Sequence, residues 1–89
     1  MPVSPTPFKP GSKWFIRTVT YHLTGEVVRV DGGFIQLKDA AWIADTERFS
    51  DAIRKGKLRE VEPVDDAVVN IAAITDAFPW VHDLPRTQM

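Results

Sequence analysis

Residues 24–43 read TGEVVRVDGGFIQLKDAAWI, and this stretch decides the fold class. Val28 and Val30 alternate with Val27 and Arg29 on one arm. Ile35 and Leu37 alternate with Phe34, Gln36 and Lys38 on the other. Alternation of period two marks half-buried strands, and Asp31-Gly32-Gly33 supplies the positive φ angles of a tight hairpin turn. The stretch is a β-hairpin followed by a small-residue corner at Ala40-Ala41. The chain is therefore small and β-rich.

Upstream, WFIRTVTYHL (14–23) puts Phe15, Val19, Tyr21 and Leu23 on one face and Trp14, Ile16, Thr18, Thr20 and His22 on the other. Its β-branched and aromatic content favours a first strand. Thr24-Gly25 is expected to break or bulge it, with a second strand starting at Glu26 and a third over 34–38. Downstream the period changes. Asp45 or Thr46 can cap a helix, Phe49, Ala52 and Ile53 form one apolar stripe, and Arg54 and Lys55 suit the negative end of the helix dipole. Gly56 is a natural stop, giving one helix of about two to three turns. Residues 57–63 are expected to extend away from it, with Leu58 and Val61 as apolar contacts. Asp65-Asp66 reads as a turn, 67–71 as a fourth strand and 73–78 as a fifth. Trp80 and Leu84 in the tail are expected to cover the body.

These elements predict a mainly β (α+β) fold: a small five-stranded barrel of the SH3-like or Sm-like kind, with one short helix between strands 3 and 4. The expected organisation is a proline-rich arm over 1–12, the barrel domain over 13–85 and a short tail over 86–89. The N-terminal MPVSPTPFKPGSK holds four prolines and no apolar run, so it favours extended structure and is not a secretory signal. It reads either as a disordered tail or as an arm laid across a neighbouring subunit, with Phe8 as a lone anchor.

With 89 residues the chain makes one domain, and a domain this small leaves stability marginal. There is no cysteine, hence no disulfide, no thiolate nucleophile and no cysteine-ligated zinc. Oligomerisation or docking on a partner is the remaining usual source of stability. Eleven basic residues against twelve acidic ones give a net charge of −1, without the field that draws proteins to nucleic acid or anionic lipid. No apolar run approaches the ~18–20 residues that span a bilayer.

Candidate chemistry is sparse. His22 and His82 stand in no metal-ligand spacing, and Ser4, Ser12 and Ser50 sit in no nucleophile elbow. Asp39, Asp45, Glu60, Glu62 and Asp76 could converge in pairs to bind a divalent ion or do acid–base work, but capping, turn formation and pairing with Arg17, Arg48 or Lys57 explain them equally well. Arg54, Lys55, Lys57 and Arg59 form the local basic patch, followed at once by Glu60, Glu62, Asp65 and Asp66. The three tryptophans, Trp14, Trp42 and Trp80, combine large apolar area with one donor, the profile of interface rings. Trp80, between Pro79 and Val81, is the foremost interface or ligand-facing candidate.

The segments TVTYHLTGEVV (18–28), LKDAAWIADTERFSDA (37–52), EVEP (60–63), AAITDA (72–77) and WVHDLP (80–85) resemble a family of short uncharacterised proteins of tailed phages and prophages. The resemblance runs from about Trp14 to Pro85 and leaves the arm outside. It implies a phage or prophage origin and carries over no functional residue.

The expectation is a non-enzymatic, homo-oligomeric assembly protein, a head-associated or decoration-type subunit, with Phe8, Trp14 and Trp80 as interface residues. It would reside in the infected host's cytoplasm or in the virion, with capsid protein as a possible partner and no cofactor, metal, membrane or nucleic acid. The alternative is an oligomeric counter-defence protein that sequesters a small anionic ligand, such as a host nucleotide signal, in pockets between subunits, with Trp42, Arg48, Arg54, Lys55 and Trp80 lining the site.

Overall fold

A computed structural model describes residues 7–88. Five strands, β1 (Lys13–Thr18), β2 (His22–Asp31), β3 (Phe34–Asp45), β4 (Glu60–Asn70) and β5 (Ile74–Pro79), form one antiparallel sheet in the order β4-β3-β2-β1-β5. The helix α1 (Phe49–Lys55) lies between β3 and β4, and a single 3₁₀ turn (Ile71–Ala73) joins β4 to β5. The fold is thus mainly β with one short helix between strands 3 and 4. The sheet is not closed into a barrel: β4 and β5 are its two edges.

β1 explains why both faces of this sheet are covered. Phe15 and Ile16 are consecutive and both 0% exposed, so successive side chains on opposite faces each need apolar cover. On one face, Ile16, Leu23, Val27, Ile35, Leu37, Ala40 and Val69 make a core that Ile74 and Ala77 of β5 complete, so all five strands curl around it. On the other, Phe15, Ala41, Ile43 and Val61 pack under Phe49 and Ile53 of α1 and under Trp80 and Leu84 of the tail. The expected cover by Trp80 and Leu84 is present.

Several boundaries differ from the sequence reading. The first strand ends at Thr18, and the turn falls at 18–21 rather than at Thr24-Gly25. There the Thr18 hydroxyl donates to the Tyr21 carbonyl at 2.7 Å and accepts from its N–H at 3.1 Å, while Thr18 N–H donates to the same carbonyl at 2.9 Å. A threonine side chain closes the turn without glycine. Thr24-Gly25 lies inside β2 at a register shift. Gly25 is small for a packing reason, since a Cβ there would sit 3.1 Å from Leu37 Cδ1.

The third strand does not stop at Lys38 but runs on through the small residues to Asp45. Register shifts between Leu37 and Ala41, with Asp39 at φ 51°, let Ala40 face the first core and Ala41 the second. Asp65-Asp66 is likewise no turn: Asp65, at φ 64°, stands opposite Ala40 as an irregularity within β4. Aspartate tolerates this left-handed backbone better than most residues. The fourth strand therefore begins at Glu60, not at residue 67.

The helix N-cap is Arg48, without a side-chain capping bond, rather than Asp45 or Thr46. Asp45 instead accepts from Glu47 N–H at 2.8 Å in the loop before it. Gly56 stops the helix at φ 73°, as expected. The tail then staples it: a His82 ring nitrogen lies 2.8 Å from the Ile53 carbonyl, and Trp80 N–H donates to Lys13 O at 3.0 Å.

Residues 7–12 do not trail free. Gly11 N–H donates to Val27 O and Val27 N–H to Ser12 O, each at 2.8 Å, so this part of the arm is tied to its own β2. Residues 1–6 of the expected arm lie outside the described residues.

Two substitutions test this packing. Leu37 is fully buried and cannot yield, so Gly25→Val is expected to cost about 1–3 kcal/mol in urea unfolding, the usual penalty of overpacking. Thr24 Oγ1 is buried and meets no hydrogen-bond partner among the described residues. Thr24→Val, of the same shape, is expected to be neutral or to stabilise by about 1 kcal/mol. A clear loss of stability in Thr24→Val would show that the hydroxyl is bonded.

Candidate functional site

Cross-strand register gathers side chains that are far apart in sequence. The ladder Val61–Ile43–His22–Arg17–Asp76 crosses all five strands on the face that α1 covers. At one end of this row Arg17 forms a two-pronged ion pair with Asp76, with Nε to Oδ1 at 2.6 Å and Nη2 to Oδ2 shorter still. The guanidinium carbon stands 4.6 Å from the centre of the Phe49 ring and 5.4 Å from that of Phe78. Cation–π contact thus ties the first residue of α1 to the sheet. Asp76, which interrupts the apolar run of the fifth strand, is accounted for by this pair.

The row also sets two protonation equilibria. Hydrogen bonds from Arg17, with its charge, hold the Asp76 carboxyl below the usual carboxylate range, against the opposing effect of burial. Burial, then the charge of Arg17, pushes His22 below the usual imidazole value, and Asp76 opposes this.

The adjacent row, Glu62–Trp42–Leu23–Ile16–Ala77, lies on the opposite face. Leu23 and Ile16 belong to the first core, so Trp42 sits at the rim of that core. Its ring is 49% exposed and meets the 41% exposed Tyr21 at a centroid distance of 5.7 Å and an interplanar angle of 39°. The Thr18 turn presents Tyr21 there and leaves Val19 85% exposed beside it. A groove of about 410 Å³ opens at this pair, with Glu60 and Glu62 along β4 and Gln88 of the tail on its walls. Its volume falls in the range of ordinary ligand clefts.

The other sequence candidates fall elsewhere. Trp80 is 3% exposed, its indole N–H bonded to Asp83 O at 3.1 Å, and it serves the second core. Phe8 and Trp14 meet edge to face at 5.0 Å against the first core of their own chain, with Trp14 Nε1 donating to Ser12 Oγ at 2.9 Å. Arg48, Arg54 and Lys55 are exposed around α1, and none of them lines the groove at Trp42. Within one protomer, Trp42 is the one of the five residues expected to hold an anionic ligand that lines the groove. Tyr21, Glu60 and Glu62, which do surround Trp42, escaped the sequence reading as a set because the strand register alone unites them.

No group of three or more metal-ligating side chains occurs among the described residues, and no helix there is long and apolar enough to cross a membrane. Comparison with protein families, curated proteins and solved structures gives no match.

The pH dependence follows from the signs of the shifts. A histidine with a lowered folded pKa contributes stability that is complete above its unfolded value of about 6.5 and falls as pH drops below it. Asp76, also lowered, loses its contribution only further down, from about pH 4 towards its folded value. Thermal melts of His22→Gln are therefore expected to lose the part of the decline between about pH 7 and pH 5 that this residue causes. An unchanged difference between the two proteins across that window would contradict the assignment.

Proposed function

We propose that this chain is a non-enzymatic assembly protein that works through protein–protein contact. The observation that carries this reading is the exposed Tyr21–Trp42 pair with Val19 beside it. Large aromatic side chains left at the rim of a core are the residues that interfaces use most. The two open sheet edges add to it. β4 is irregular at Asp65 and contains Pro63, both of which discourage indiscriminate edge pairing and favour defined contacts.

The resemblance to tailed-phage proteins supplies the setting: a head-associated or decoration-type subunit, acting as a homo-oligomer or on capsid protein, in the infected cell or the virion. An SH3-like arrangement fits the strand order β4-β3-β2-β1-β5 with a 3₁₀ turn before the last strand, and the proposal takes the curled sheet as that kind of barrel. The nucleotide-sequestering alternative has less to rest on, because the groove at Trp42 bears carboxylates where phosphate would need cations.

Quantitative mass spectrometry of purified virions tests the reading. A fixed stoichiometry against the major capsid protein is expected, together with its loss in Tyr21→Ser/Trp42→Ser, a variant whose exposed rings contribute little to folding. Absence of the wild-type chain from virions would overturn the virion assignment.

A further inference from the structure

We infer that the groove at Trp42 receives the cationic end of α1 from a second copy of this chain. The inference rests on the assembly reading and names the contact that would perform it.

The groove is built for a positive charge. Tyr21 and Trp42 line it with two part-exposed rings, and a ring face is negative in its quadrupole. Glu62 stands directly across the ladder from Trp42, and Glu60 follows two residues away on the same side of β4. Both carboxylates are exposed and form no ion pair among the described residues. No lysine or arginine lines the groove to offset them. Rings and carboxylates therefore attract a guanidinium or ammonium group in the same direction.

The described residues also include cations in no ion pair, Lys9, Lys13 and Arg48 among them, and three such cations cluster at the end of α1. Arg54 and Lys55 in the last turn of α1, and Lys57 just beyond it, are exposed and likewise form no ion pair among the described residues. This contrasts with Arg17, Arg29, Lys38, Arg59 and Arg86, each of which has a carboxylate within 4 Å.

Within one protomer no ion pair joins the two surfaces among the described residues. A contact between different patches on two copies is heterologous, so it propagates around a ring or along an open chain. Arg54 is the preferred occupant, because a planar guanidinium both stacks on indole and bridges carboxylates.

Sedimentation velocity over a concentration series, on the full chain, tests the contact by charge reversal. The wild-type chain is expected to associate with concentration, and less so at high salt. Glu60→Lys/Glu62→Lys and, separately, Arg54→Glu/Lys55→Glu are each expected to weaken association by about tenfold or more. An equimolar mixture of the two variants restores complementary surfaces and is expected to associate again. Circular dichroism melts of each variant confirm that it is folded, and the rescue itself excludes misfolding as the cause. A monomeric wild-type chain at every concentration, reversals without effect, or a mixture that fails to recover would each overturn the contact. A monomeric chain that still appears at fixed stoichiometry in virions would sink this contact and leave the assembly reading standing.

Discussion

Phe15 and Ile16 set the problem that the rest of the chain solves. Two adjacent, fully buried residues on one strand demand apolar cover on both faces of a single sheet. A chain of 89 residues has no second sheet to give. One face is therefore closed by the sheet's own curl, with every strand contributing to the core around Ile16. The other is closed by the only material left, a two-turn helix and a tail of irregular structure. The features that hold helix and tail in place all lie on that second face. They are Arg17 between Asp76 and two phenylalanine rings, His82 against the end of α1, and Trp80 beneath the tail.

The same constraint creates the groove. Curling the sheet over the first core leaves its rim at Trp42, where the register sets Glu62 against the indole and the Thr18 turn delivers Tyr21. A groove thus arises where the core runs out. The best-defined polar cluster, Arg17–Asp76 with the Phe49 and Phe78 rings, docks the helix on the sheet.

What the sequence disclosed followed from residues whose local physics is decisive. Asp31-Gly32-Gly33 dictates a hairpin wherever it is placed, and the stripe Phe49, Ala52 and Ile53 before Gly56 dictates a helix and its end. What it concealed depended on long-range packing. Thr18-Val19-Thr20-Tyr21 carries strand-favouring residues, and only the Thr18 hydroxyl makes it a turn. Thr24-Gly25 suggested a break or a bulge; it is a register shift inside β2, and Gly25 is small because Leu37 lies on it. Asp65-Asp66 suggested a turn but marks the point where β4 accommodates the shift in β3. Trp80 was the foremost exposed-ring candidate in the sequence, yet it is buried and Trp42 is the exposed indole. The partners of Trp42 were concealed, because they are joined to it by a register that shifts between Leu37 and Ala41.

The central claim is that this chain acts by contact between the Trp42 groove and the end of α1. The most direct measurement is a dilution series followed by ¹H–¹⁵N correlation spectra. The account predicts that the Trp42 indole N–H and the amides of Arg54, Lys55 and Lys57 shift together with concentration, while the indoles of Trp14 and Trp80 stay in place. Spectra that do not change with concentration, or changes that avoid both surfaces, would contradict it.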